Sequence, residues 1–273
     1  MFVNLLNNIN NDTTREEALE ELADLRAEIA ISHAIRPFHM EVDDVVRLLK
    51  NTDDSYLSES EKEEKDRILK AVENLIEFAT CAEYQLMREA EEYDPDFDFS
   101  VEQINPNEED EDDVMVPYWA MCRRYNSKQM LVENDDAEYA MALCYKWLQY
   151  PSTQVLTYMT QEDDRVRPWH FALQGFSAPK NDFPSWMIPP IEWGCRCFLL
   201  AENGEVVARY GFRNIKALQV PQKPEQLDDI FSESICTGGR IFSTSHPYFN
   251  VDEADKEMLV RISNKIKAKY YGG

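Results

Sequence analysis

Nearly all of the chain's excess negative charge lies in its first 113 residues, and this asymmetry divides what the two parts can become. Those residues hold 33 Asp plus Glu against 10 Lys plus Arg, while the remaining 160 hold 19 against 18, for a net charge of −24. A segment charged in this way repels nucleic acid; it suits a basic partner surface or keeps the chain soluble at high local concentration. The charge is densest between Asp94 and Asp113, which contains Asp94-Pro95, Asn105-Pro106 and the run Glu108 to Asp113. Like charges packed this tightly bury too little apolar area to fold, so residues 94–113 read as an acidic linker. The expected organisation is an acidic helical region over 1–93, the linker, and a compact domain over 114–273.

Within the first region the apolar residues follow a helical period. Asp12 to Ile35 reads as an amphipathic helix, with Thr13 or Thr14 capping and Glu16 or Glu17 completing a capping box. Its stripe is Leu19, Leu22, Ala23, Leu25 or Arg26, Ile29 and Ala30, and Pro37 ends it. A second helix is expected from about Val42 to Lys50. A third runs from Ser58 to Glu92, with Ile68, Val72, Leu75, Ile76, Ala79 and Ala82 or Glu83 on its buried side.

From Val114 the residues change to aromatic and apolar bulk, and strands become readable. Asn134 to Leu148 is expected as a helix capped by Asn134. Thr153 to Thr160 alternates as a strand does. Cys197 to Ala201 and Val206 to Tyr210 flank Asn203-Gly204, the dipeptide favoured in type I′ hairpins. A last helix follows Asn250 and Glu253, with lysines 265, 267 and 269 in its final turns, as the macrodipole favours. Its expected buried face is Met258, Leu259, Ile262, Ile266 and Tyr270. The predicted class is therefore α+β: a mainly helical acidic half, then an α+β domain with a small antiparallel sheet.

No run approaches the roughly 18 apolar residues of a membrane helix, and Met1 to Asn11 lacks the basic n-region of a secretory signal. Six cysteines without framework spacing suit a reduced intracellular protein.

Two clusters carry the chemistry: Asp163 to His170, followed by Gly175, and Trp186 with Pro189-Pro190-Ile191-Glu192-Trp193-Gly194-Cys195-Arg196-Cys197. On an extended segment Cys195 and Cys197 point to one face and Arg196 to the other. The two sulfurs can then converge with His170. A tetrahedral zinc needs one ligand more, for which Asp163, Asp164, Cys236 and His246 are the candidates. The competing reading makes the cysteines small buried hydrophobes. Arg165 and Arg167 could bind phosphate or pair with the neighbouring aspartates. Trp186, Pro189, Pro190 and Trp193 are expected to pack the segment so that the Cys-Arg-Cys strand lies centrally, with Arg196 paired to a carboxylate such as Asp164.

The ordered pattern Thr160, Asp164-Arg165-Val166-Arg167-Pro168, His170, Leu173, Gly175, a tryptophan, Pro189-Pro190 and Trp193-Gly194-Cys195-Arg196-Cys197 resembles the phage Mu F-like head morphogenesis proteins, also called minor head proteins. The match is dense over about forty residues. Cysteine-rich relatives keep a further Cys-x-x-Cys near the Asp-Arg motif, where this chain has Arg167 and Trp169-His170. The resemblance implies a non-enzymatic virion component, assembled in the bacterial cytoplasm. Such a protein associates with the portal and major capsid proteins and in some members touches packaged DNA. It implies no membrane and no small-molecule substrate.

Two other readings compete. His170 and Cys195 could form a thiol dyad, although no orienting Asn motif or oxyanion loop accompanies them. Residues 1–113 could instead mimic nucleic acid and bind a basic surface. The basic residues of the second half, Arg209, Arg213, Lys216 and the terminal lysines, are scattered rather than striped, which disfavours direct DNA binding by that half.

Overall fold

The computed structural model describes residues 15–93, 118–202 and 220–272. The linker 94–113, the Thr13 or Thr14 cap and the hairpin partner Val206 to Tyr210 lie outside the described residues.

Helix α1, Arg15–Ala34, buries Leu19, Leu22, Ala23, Arg26, Ala27, Ala30 and Ile31, a stripe repeating every three to four residues. Pro37 lies in the following 3-10 turn, Arg36–Phe38, which closes on His39 in a left-handed conformation (φ 57°). Helix α2, Val42–Lys50, starts in a capping box between Glu41 and Asp44. Helix α3, Glu59–Tyr93, starts in another. There the Ser58 amide donates to Glu61 at 2.7 Å and the Glu61 amide to the Ser58 hydroxyl at 3.3 Å. The expected stripe on α3 is buried, including both Ala82 and Glu83.

Helix α4 spans Tyr118–Gln149, so the expectation that a helix begins at Asn134 is corrected: Asn134 is buried inside a continuous helix. The polar run there does not break the helix because two of its side chains are held by tertiary partners. Glu133 meets Arg26 at 2.7 Å, and Asp136 accepts the Gly194 amide through both oxygens at 2.9 and 3.1 Å. A cap residue is recognisable only when its side chain turns back on its own backbone.

Strand β1 is Val155–Met159, followed by the single helical turn α5, Pro168–Phe171, then strand β2, Ser177–Pro179, and strand β3, Phe198–Glu202. The sheet order is β2-β1-β3, antiparallel throughout. Thr157 lies opposite both Ser177 and Leu200, and the Thr157 and Ser177 hydroxyls bond at 2.7 Å. Leu156, Thr157 and Tyr158 are all buried. The alternation read in this strand therefore does not mark a half-exposed strand, since β1 is central and covered on both faces. The Cys-Arg-Cys segment is not central: it leads into β3, an outer strand of the sheet among the described residues.

Residues 220–255 contribute 3-10 turns rather than long elements. They dock on α3 through Asn74, whose side chain accepts the Ile241 and Phe242 amides at 2.9 and 2.8 Å and donates to the Phe242 carbonyl at 3.0 Å. The last helix, α6, spans Lys256–Tyr270 with Asp255 at its N-cap position, not Asn250. Asn250 instead closes the turn Pro247–Phe249, and its carbonyl accepts Gln85 from α3 at 2.8 Å, so the chain is held to α3 before it can wind. Leu259, Ile262, Ile266 and Tyr270 form the buried face as expected, and Met258 packs partly buried against it.

Helix α6 returns to the front of the chain. Arg261 pairs with Glu16 at 2.8 Å, Lys265 with Glu20 at 2.6 Å and Lys269 with Asp24 at 2.5 Å. Acid and base both advance by one helical turn from pair to pair, so α1 and α6 run parallel. Buried residues from both halves of the chain join one apolar cluster.

The centre of the helical layer holds a charge. Arg26 is 2% exposed and bonds Glu83 at 3.1 Å and Glu133 at 2.7 Å. Burial opposes its charge, but the two carboxylates outweigh burial and raise its pKa. Arg26→Met should therefore lower the unfolding free energy measured in denaturant by about 3–5 kcal/mol, because two buried carboxylates lose their counter-ion. Adding Glu83→Gln and Glu133→Gln should recover more than half of the loss.

Candidate functional site

His170 sits in α5, where Pro168 at the first helical position presets the backbone. The chain then reverses through Gly175 at φ 83°, in the left-handed region that favours glycine. The Gly175 amide donates to the Tyr158 carbonyl at 2.9 Å, and the Tyr158 amide to Phe176 at 2.8 Å. These bonds hold α5 against the end of β1.

The second cluster arrives through a cis Pro189-Pro190 bond and a left-handed Gly194 at φ 63°. Pro189 is buried, and Trp186 is partly buried against the core. Trp193 packs among Phe231, Phe242 and His246 with ring centroids 5.2–5.6 Å away. The aromatic and proline residues thus seat the segment as the sequence implied, and Asp136 of α4 fixes the turn at Gly194.

Alternation then does what the spacing suggested. Cys195 and Cys197 are each 3% exposed and turn inward to His170, which is 2% exposed. His170 Nδ1 lies 3.4 Å from the Cys197 sulfur and 3.9 Å from the Cys195 sulfur. Its Nε2 lies 3.1 Å from Glu192 Oε2. An ionised carboxylate only accepts, so in the neutral ring Nε2 carries the proton and the Nδ1 lone pair faces both sulfurs. Glu192 is itself held, its Oε1 taking Arg167 Nε at 2.9 Å. Arg167 also donates to the Trp193 carbonyl at 2.9 Å.

The thiols are electrostatically unequal. Cys197 is pushed down to about 5, first by a hydrogen bond from Cys195, against burial, and then by His170. Cys195 is pushed up by the same bond and by burial. Two tyrosines complete the surroundings: the Tyr139 hydroxyl donates to the Cys197 carbonyl, and the buried Tyr158 hydroxyl lies against the Cys197 thiol.

The other proposed ligands are elsewhere. Asp164 is exposed, and the metal-capable group among the described residues comprises His170, Cys195 and Cys197 alone. His246 lies in the aromatic cluster, where its Nδ1 accepts the Tyr248 amide at 3.1 Å. Burial first, then Arg26, pushes it down to about 4. Cys236 lies against Cys144, both as free thiols, and not in this group. Arg196 points outward as expected, but its partner is Asp163, held through two bonds of 2.8 Å, not Asp164. Asp163 also accepts the Arg165 amide at 3.1 Å, a turn that leaves the Arg165 side chain exposed.

Sequence reading missed Glu192, Asp136, Tyr139 and Tyr158. Glu192 lies within the quoted motif and could have been flagged as the only carboxylate between the prolines and the cysteines. Nothing in the sequence pairs Asp136 with Gly194, since that contact spans 58 residues.

Burial pushes Asp136 up to about 7, more than its bond from Gly194 lowers it. An unfolded Asp titrates near 3.9, so between about pH 4 and 7 the unfolded chain releases a proton that the folded chain keeps. Stability from this group therefore falls as pH rises through that window. Asp136→Asn can still accept the Gly194 amide and should remove the dependence. The stability difference between variant and wild type should grow by about 1.4 kcal/mol per pH unit up to neutrality, as read by urea unfolding across pH. Comparison with family models, curated proteins and solved structures gives no match for this chain.

Proposed function

We propose that this chain is a phage minor head protein, a structural virion component that associates with the portal and major capsid proteins during head assembly in the bacterial cytoplasm and can contact packaged DNA. What supports the reading is that the residues carrying the family resemblance close on one another as a unit. Arg167 reaches Glu192 and Trp193, His170 reaches Glu192 and both cysteines, and Arg196 reaches Asp163. A motif of this kind is a packing device, and the protein built on it acts through its surfaces. The thiol-enzyme alternative draws no support from the geometry, since a nucleophile must meet its substrate and both sulfurs are buried. The nucleic-acid mimic is weakened by the pairing of Glu16, Glu20 and Asp24 with α6, and of Glu77 with Arg240 and Lys267, which neutralises part of the acidic region from within. Among the described residues no helix is long and apolar enough to cross a membrane.

Affinity capture of the tagged chain from infected or prophage-induced cells, followed by mass spectrometry, should recover portal and major capsid proteins. Recovery of host DNA-binding proteins without them would contradict the reading and favour the acidic mimic.

A further inference from the structure

We infer that His170, Cys195 and Cys197 bind one zinc ion, with Glu192 holding the imidazole in its metal-binding form and the Tyr158 hydroxyl facing the fourth coordination position. The three donor atoms lie within 4.8 Å of one another and come from buried side chains. Zn–S bonds of about 2.3 Å and Zn–N bonds of about 2.0–2.1 Å place the sulfur–nitrogen edges of a tetrahedron near 3.6 Å. The observed separations of 3.4 and 3.9 Å bracket that value. An ion between the three atoms gives both sulfurs and the nitrogen one common partner.

The surroundings fit a metal and specify its kind. Two thiolates and a neutral imidazole are borderline-soft ligands that suit zinc and not calcium or magnesium, which require oxygen donors. Two thiolates also cancel the dication, so the buried group gains no net charge. The outer carboxylate, Glu192, is balanced by Arg167 at 2.9 Å. A ligating histidine commonly donates its other N–H to a carboxylate, which fixes tautomer and ring orientation, and the bond from His170 Nε2 to Glu192 at 3.1 Å has that form.

The fourth position has a buried polar neighbour. The Tyr158 hydroxyl is fully buried and lies against the Cys197 sulfur. A buried hydroxyl needs a partner, and a zinc-bound thiolate at Cys197, or a water on the ion beside it, supplies one. Zinc would then join the end of β1, the turn α5 and the entry to β3 at one point. This role is separate from the identity of the protein's assembly partners.

The test uses the full chain purified without chelator and equilibrated with zinc, then freed of loosely held metal by gel filtration. Elemental analysis should find one zinc per chain. Cobalt substitution should give the near-ultraviolet sulfur-to-cobalt charge-transfer band and the intense visible bands of a four-coordinate site. Cys197→Ser should lose the ion. Glu192→Gln, folded by circular dichroism, should bind cobalt 10–100-fold more weakly. Tyr158→Phe should shift the visible bands while keeping the charge-transfer band. A folded wild-type chain with neither zinc nor the charge-transfer band would overturn the inference, as would zinc binding unchanged in Cys197→Ser. Neither outcome bears on portal or capsid association, so failure here and failure of the head-protein reading remain distinguishable.

Discussion

One imidazole, used at both of its nitrogens, holds the second half of this protein in register. The Nε2 proton of His170 is committed to Glu192, and Arg167 fixes the far oxygen of Glu192, so the Nδ1 lone pair has one direction left. Both sulfurs of Cys195 and Cys197 occupy that direction because an extended backbone turns alternate side chains to one face. The same alternation sends Arg196 outward to Asp163. Three chain segments are thereby joined through side chains from a short stretch of sequence.

Helix α4 connects this unit to the helical layer. Along its length Glu133 meets the buried Arg26, Asp136 caps the Gly194 turn, and Tyr139 bonds the Cys197 carbonyl. Residues spaced by three on a helix share a face, so one face of α4 touches the charged centre of the helices and the cysteine motif together. Displacing α4 would therefore disturb both. The parallel pairing of α6 with α1 closes the chain from the other end. Its exposed ion pairs act mainly to set register and orientation, while Leu259, Ile262 and Ile266 supply the burial.

Where the information was local, the sequence could be read. The spans of α2 and α3, the α1 stripe apart from Ile29, in whose place Ala27 and Ile31 are buried, and the convergence of His170 with the two cysteines follow from period, capping chemistry and alternation. Arg26 shows the limit: the periodic stripe reaches that position with either Leu25 or Arg26, and only the distant carboxylates Glu83 and Glu133 make the arginine the buried choice. Asn134 and Asn250 failed as caps for the same reason, since the tertiary bonds of Glu133, Asp136 and the Asn250 carbonyl hold those stretches in place. His246 was a reasonable ligand by residue type, but its ring is consumed by the turn at Tyr248 and by aromatic packing. Glu192 was in view without a role, because a carboxylate's function depends on what lies beside it.

His170 and Cys197 act as a coupled pair within one unit. The most direct measurement is a double-mutant cycle in denaturant unfolding, with His170→Ala, Cys197→Ala and the combination. Coupling of about 1 kcal/mol or more between the substitutions is the result the account requires. Effects that add to within about 0.3–0.5 kcal/mol would show that the two side chains do not act together, and the unit described around His170 would not stand.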